Sequence, residues 1–137
     1  MNRDEMIQAM SRLAGMSMVL AFSSESPTVY SYEIDTSSES RGQRSQVIDV
    51  MLSDDGQDVI AFSHIGEVPA NPAVLQNMLK ENVDGCYSRL CIANNRVAQI
   101  YRYEISKLEV REFLSALYEL ASFADIYEEK YFGGDAN

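Results

Sequence analysis

The chain has 137 residues, enough for one domain with a core of its own and no need of disulfide or metal staples. Its 11 Lys and Arg stand against 21 Asp and Glu, a formal net charge of −10. That balance disfavours nucleic acid and anionic membranes, whose phosphates require the cations this chain lacks, and suits a basic protein partner or simple solubility.

The uncharged run from Leu13 to Ser24 is about half of the ~20 apolar residues that a membrane-spanning helix needs. Asp4 and Glu5 occupy the place where a secretory signal would be basic, so the expected location is the cytoplasm. Cys86 and Cys91 are too few for a disulfide framework and lack the companion ligands of a zinc site. Two reduced, structural thiols are expected.

Asn2 to Ala14 has the pattern of a short amphipathic helix. Asn2 can cap it, Asp4 and Glu5 suit its positive end, Met6, Met10, Leu13 and Ala14 share a face, and Gly15 ends it. Two strands follow, Ser17 to Phe22 and Thr28 to Ile34, joined by a turn at Ser24 to Pro27. In the second strand Tyr30, Tyr32 and Ile34 point to one side, and Val29, Ser31 and Glu33 to the other. Asp35 to Ser45 contains no apolar residue and reads as a flexible surface loop.

Gln46 to Leu52 and Asp58 to Ile65 flank Asp54-Asp55-Gly56, an Asp-Gly turn signal that predicts a hairpin. Pro69 to Asn82 predicts a second helix, with Asn71 as N-cap, Pro72 at the first helical position, and Val74, Leu75, Met78 and Leu79 on its apolar face. A second hairpin, Tyr87 to Ala93 and Arg96 to Glu104, turns at Asn94-Asn95. Its register places Leu90 and Ile92 with Gln99 and Val97, and Cys91 with Ala98.

The last element is the longest. Ser106 and Glu109 make an S-x-x-E capping box, and Val110, Phe113, Leu114, Leu117, Leu120, Ala121, Ala124, Tyr127 and Tyr131 recur at three- and four-residue steps. One helix is predicted from Ser106 to Tyr131, stopped by Gly133-Gly134. Arg111, Glu112, Ser115, Glu119, Ser122, Asp125, Glu129 and Lys130 fall on its opposite face, and Glu128 with Glu129 and Asp125 reads as solvated. The expected fold is α+β: a mainly antiparallel sheet with helices packed on it, in the order α-β-β-β(-β)-α-β-β-α, as a single domain over residues 1–137.

No residue pattern points to catalysis. His64 is the only histidine, which excludes a two-histidine metal site, and it has no orienting acid in register on its predicted strand. No glycine-rich nucleotide motif is present. Asp54, Asp55 and Asp58 invite a calcium reading, but the EF-hand ligand series is absent and a turn is expected instead. No cofactor or metal is expected. Tyr87, Tyr101, Tyr103, Tyr118, Tyr127 and Tyr131 cluster near the hairpin and helix ends, where tyrosine suits a protein interface as well as a core.

Two segments resemble known families. VIAFSHIGEVPANPAVLQNMLKEN, from Val59 to Asn82, is similar to the strand, the Gly-x-x-Pro connection and the Leu-x-x-Asn helix end of the type III secretion chaperone-like families. Leu90 to Glu128 resembles their hairpin and long terminal helix, with Ala124-Asp125 near its end. The resemblance is to the Tir-type secretion chaperones and the YbjN-like proteins, and it covers a little under half of the chain.

The resemblance implies a small acidic protein of order α-β-β-β-α-β-β-α, homodimeric and without enzymatic activity, that holds an extended segment of a client protein. A YbjN-like regulatory domain without a secreted client is the second reading, and a calcium-responsive acidic protein the third. This chain departs from the pattern in having up to four extended segments before the second helix where three are expected. Candidate partner contacts, taken as apolar or aromatic residues at sheet edges, are Tyr30, Tyr32, Val47, Met51, Phe62 and Ile65.

Overall fold

A computed structural model describes residues 1–133. The elements are α1 (Arg3–Leu13), β1 (Val19–Ser26), β2 (Val29–Asp35), β3 (Ser45–Leu52), β4 (Asp58–Glu67), α2 (Pro72–Lys80), β5 (Arg89–Ala93), β6 (Arg96–Glu104) and α3 (Val110–Phe132). Short 3-10 turns at Glu81–Asp84 and Ile105–Lys107 follow α2 and β6. The six strands form one antiparallel sheet in the order β1-β2-β3-β4-β6-β5. This is the predicted α+β fold, with four strands ahead of the second helix.

Local signals account for most boundaries. The Asn2 side chain accepts from the Glu5 N–H at 2.8 Å while the Glu5 carboxylate accepts from the Asn2 N–H at 3.3 Å, a capping box that opens α1. Asn71 caps α2 with Pro72 at its first position. Asn94 and Asn95 have φ of 52° and 61°, the left-handed pair that a tight two-residue hairpin demands, and the β5–β6 register is the predicted one.

The capping box expected at Ser106 and Glu109 does not form. The Ser106 hydroxyl donates to Glu104 at 3.1 Å, the chain makes its 3-10 turn, and α3 starts at Val110 with no side-chain bond from Glu109. Ile105 and Leu108 are both buried, so sinking this turn into the core delays the helix. At its other end α3 closes on Gly133, whose φ of 76° is the left-handed cap that glycine adopts at no steric cost. Gly134 lies outside the described residues.

Burial alternates strictly along β2, β3 and most of β4, as period-2 side chains require of a sheet covered on one side. Tyr30, Tyr32 and Ile34 of β2, Ile48, Val50 and Leu52 of β3, and Val59 and Ala61 of β4 share one core with Met6, Met10 and Leu13 of α1 and with Phe113, Leu117 and Leu120 of α3. A second cluster joins Ile65, Leu90 and Val97 to Met78 of α2 and to Ala124 and Tyr127 of α3. Each large apolar side chain so buried contributes about 1.5–3 kcal/mol. The register puts all of these strand residues on one face, so α1, α3 and α2 lie side by side on it, with α3 crossing β3, β4 and β6. Leu79 and Val110, expected on apolar stripes, are exposed.

Gly66 marks the tightest approach of helix to sheet. A Cβ there would come within 2.5 Å of the Phe132 ring, so Gly66→Ala is expected to destabilise the fold by about 1–3 kcal/mol, read by chemical denaturation. In a Phe132→Ala background the added cost should vanish, and additivity of the two changes would refute the contact.

Candidate functional site

Arg111, Ser115, Glu129 and Lys130 of α3 point to solvent as expected, but two acids of the helix do not. Asp125 and Glu128 are both buried, although the solvated-face reading placed them outside. Helical arithmetic explains the correction: Leu117, Ala121 and Asp125 lie at successive four-residue steps, as do Leu120, Ala124 and Glu128, so both acids continue buried rows. That step was visible in the sequence; only residue type argued against it.

Asp125 is held by a cage of donors. Arg44 contributes Nε at 2.9 Å and a terminal guanidinium nitrogen at 2.8 Å, Arg41 donates at 3.0 Å, and the Thr36 hydroxyl at 2.9 Å. Both arginines also pair with Glu129. Burial by itself pushes the Asp125 carboxyl upward, but the hydrogen bonds from Arg44 and Thr36 and the charges of Arg41 and Arg44 outweigh it and hold the group below the usual carboxylate range. The segment from Asp35 to Ser45, expected as a free surface loop, is therefore fastened to α3, and it folds on itself through a bridge between Ser38 and Gly42. Glu119, also read as solvated, accepts from the backbone N–H groups of Cys86, Tyr87 and Ser88 at 3.1–3.2 Å and anchors that loop to the same helix.

Just beyond this cage the sheet opens. The β3–β4 ladder pairs Asp49–Leu52 with Val59–Phe62 and then stops, although β3 reaches back to Ser45 and β4 runs on to Glu67. Side chains fill the gap: the Ser63 hydroxyl donates to the Val47 carbonyl at 2.7 Å, and the Gln46 amide donates to Ser63 at 2.9 Å and to Glu128 at 3.4 Å. The slit holds a cavity of about 370 Å³, lined by Glu33, Ser45, Gln46, Val47, Asp49, Ser63, His64, Arg96 and Glu128.

The cavity runs through the slit: buried Gln46, Ser63 and Glu128 line it from the helix-covered side, and Glu33, Val47, Asp49 and His64 from the face that carries no helix. Across that face the register sets Val29 beside Met51 and Ile60, and Asp49 beside Phe62 and Ile100. Of the expected contact residues, Val47 (51% exposed) and Met51 (37%) stand open there, with Phe62 half-buried next to them. Tyr30, Tyr32 and Ile65 are corrections: they point the other way, into the core. The Tyr32 hydroxyl donates to the Met10 carbonyl at 2.8 Å and the Tyr30 hydroxyl to that of Pro27, so their polar tips are spent internally. Burial pushes the Tyr32 phenol well above its ordinary value. None of the six sits at an edge, because β1 and β5 hold those places.

Ser63, His64 and Glu128 all line the cavity, yet Ser63 and His64 are consecutive strand residues on opposite faces and the Ser63 proton is committed to Val47. The two cysteines are free, and burial pushes the Cys91 thiol up, away from the reactive thiolate. Asp55 accepts from Ser53 and from the Gln57 N–H and so serves the turn itself, and Asp58 pairs across to Arg102 of β6 at 2.8 Å. Among the described residues no group of three or more His, Cys, Asp or Glu converges as a metal site, and no helix is long and apolar enough to cross a membrane.

Asp125→Asn should cost about 3–5 kcal/mol, because it leaves two guanidinium groups facing a neutral amide. Since the folded pKa of Asp125 lies below its unfolded value, its stabilisation is present above about pH 4 and is lost as pH falls through the folded pKa. Urea titrations between neutral pH and strong acid should show this acid loss in the native chain, and a shallower one in Asp125→Asn.

Comparisons with known proteins add no name to this geometry: no protein-family model matches the chain, and no curated protein matches it significantly.

Proposed function

We propose that the protein is a non-enzymatic, cytoplasmic binding module that holds an extended segment of another polypeptide on the open face of its sheet. The observation that carries this reading is the one-sided packing of the helices. Six strands spaced at ~4.8 Å make a face about 24 Å wide whose centre is apolar: Val47, Met51, Ile60, Phe62 and Ile100. Exposed apolar surface rimmed by polar groups is the usual mark of a protein-binding site. Asp49 sits within this strip between Val47 and Met51, with Glu33 opposite Val47, so a partner lying along β2 and β3 is favoured when basic residues stand among its apolar ones. The resemblance of Val59 to Asn82 and of Leu90 to Glu128 to secretion chaperone-like families supports the same reading, including a homodimer.

The test is a peptide array in which apolar residues alternate with Lys or Arg, against acidic and scrambled controls. The native protein should select the basic apolar set. Val47→Asp together with Met51→Asp should weaken binding on the order of tenfold or more, with circular dichroism checking that the variant keeps its fold when an acid is set opposite Glu33. Undiminished binding by that variant would place the partner elsewhere.

A further inference from the structure

The two edges of the sheet are built differently. β5 is five residues long, and Asn82 lies along its outer side: the Leu90 N–H donates to Asn82 Oδ1 at 2.6 Å, and Asn82 Nδ2 donates to the Leu90 carbonyl at 3.2 Å. A side-chain amide thus takes the place of a neighbouring strand and closes that edge. At the other edge β1 runs for eight residues, and among the described residues no strand pairs with its outer side. It contains no Lys, Arg or Pro, and the features that blunt an exposed edge, the charge of Glu25 and the irregular ends, lie outside its middle. Its register with β2 shifts near both ends and is regular from Ala21 to Ser24.

Charge selects what pairs with this edge. Two copies of a chain carrying −10 repel one another unless they meet where charge is absent. The uncharged run that begins at Leu13 supplies the turn before β1 and the first three-quarters of the strand, and it presents Met16, Leu20 and Phe22 to solvent. A twofold contact also requires a surface complementary to itself, which an antiparallel edge strand is.

We propose that β1 is the seam of a homodimer, in which it pairs antiparallel with β1 of a second copy and joins two six-stranded sheets into one of twelve strands. A twofold axis near Phe22 sets Phe22 beside its own copy and Leu20 opposite Ser24. This locates the dimer contact that the functional reading leaves unplaced; it rests on the dimeric state proposed there, and not on client binding, which uses the face and not the edge.

Sedimentation and light scattering on the full chain should give a dimer whose affinity rises with ionic strength, as screening relieves the repulsion between acidic copies. Leu20→Lys and Ser23→Lys should each weaken the dimer on the order of tenfold or more. Val47→Asp with Met51→Asp should leave it intact, so failure of client binding and failure of the seam are read separately. In a Cys86→Ser, Cys91→Ala background, one or more of Ala21→Cys, Phe22→Cys and Ser23→Cys should cross-link under mild oxidation, while Ser122→Cys on the solvent side of α3 should not. Monomer at every concentration, a dimer indifferent to Leu20→Lys, or preferential cross-linking at Ser122 would each overturn the proposal.

Discussion

A carboxylate sunk between a helix and a sheet is stable only where donors replace the water it has lost. Asp125 meets that condition through Arg41, Arg44 and Thr36, all on the connection between β2 and β3. The consequence reaches beyond the pair. Arg44 immediately precedes the first residue of β3, so the cage fixes where that strand starts and how it meets α3. The neighbouring slit, with Gln46, Ser63 and Glu128 bridging strands that no longer pair, lies directly downstream of this fastening.

Seating three helices on one face of the sheet leaves the other to the surroundings. On the covered side the core has two parts, one from Met6 and Met10 through Tyr32 to Phe113 and one around Met78, Leu90 and Tyr127, and α3 contributes to both. On the open side the same strands present alternate residues that are half-buried by their cross-strand neighbours and no more. The apolar strip through Met51, Ile60 and Phe62 is left partly exposed on that side. Beside it Gln46 and Ser63 are engaged in holding the slit.

The sheet's edges extend this division of labour. Asn82 satisfies the outward groups of Leu90 and closes one end, and β1 leaves the other open within an uncharged stretch of a strongly acidic chain. Face and edge are thereby separate surfaces, the first proposed for an extended partner and the second for a second copy of the same chain.

Periodicity, caps and turn residues, all of them local, were enough to determine the element order, the antiparallel hairpins, the Asn94-Asn95 turn with its register, and which side chains of each strand share a face. They could not assign Tyr30, Tyr32 and Ile65 to the core and Val47, Met51 and Phe62 to the open side. Alternation shows that a strand has two faces, but which one receives the helices, and which strands become edges, depends on a strand order set by distant partners. The same limit explains Ser106, whose capping signal lost to the burial of Ile105 and Leu108, and Asp125, whose helical position pointed inward while its charge pointed outward. Only the arrival of Arg41 and Arg44, more than eighty residues away along the chain, made that inward position tenable.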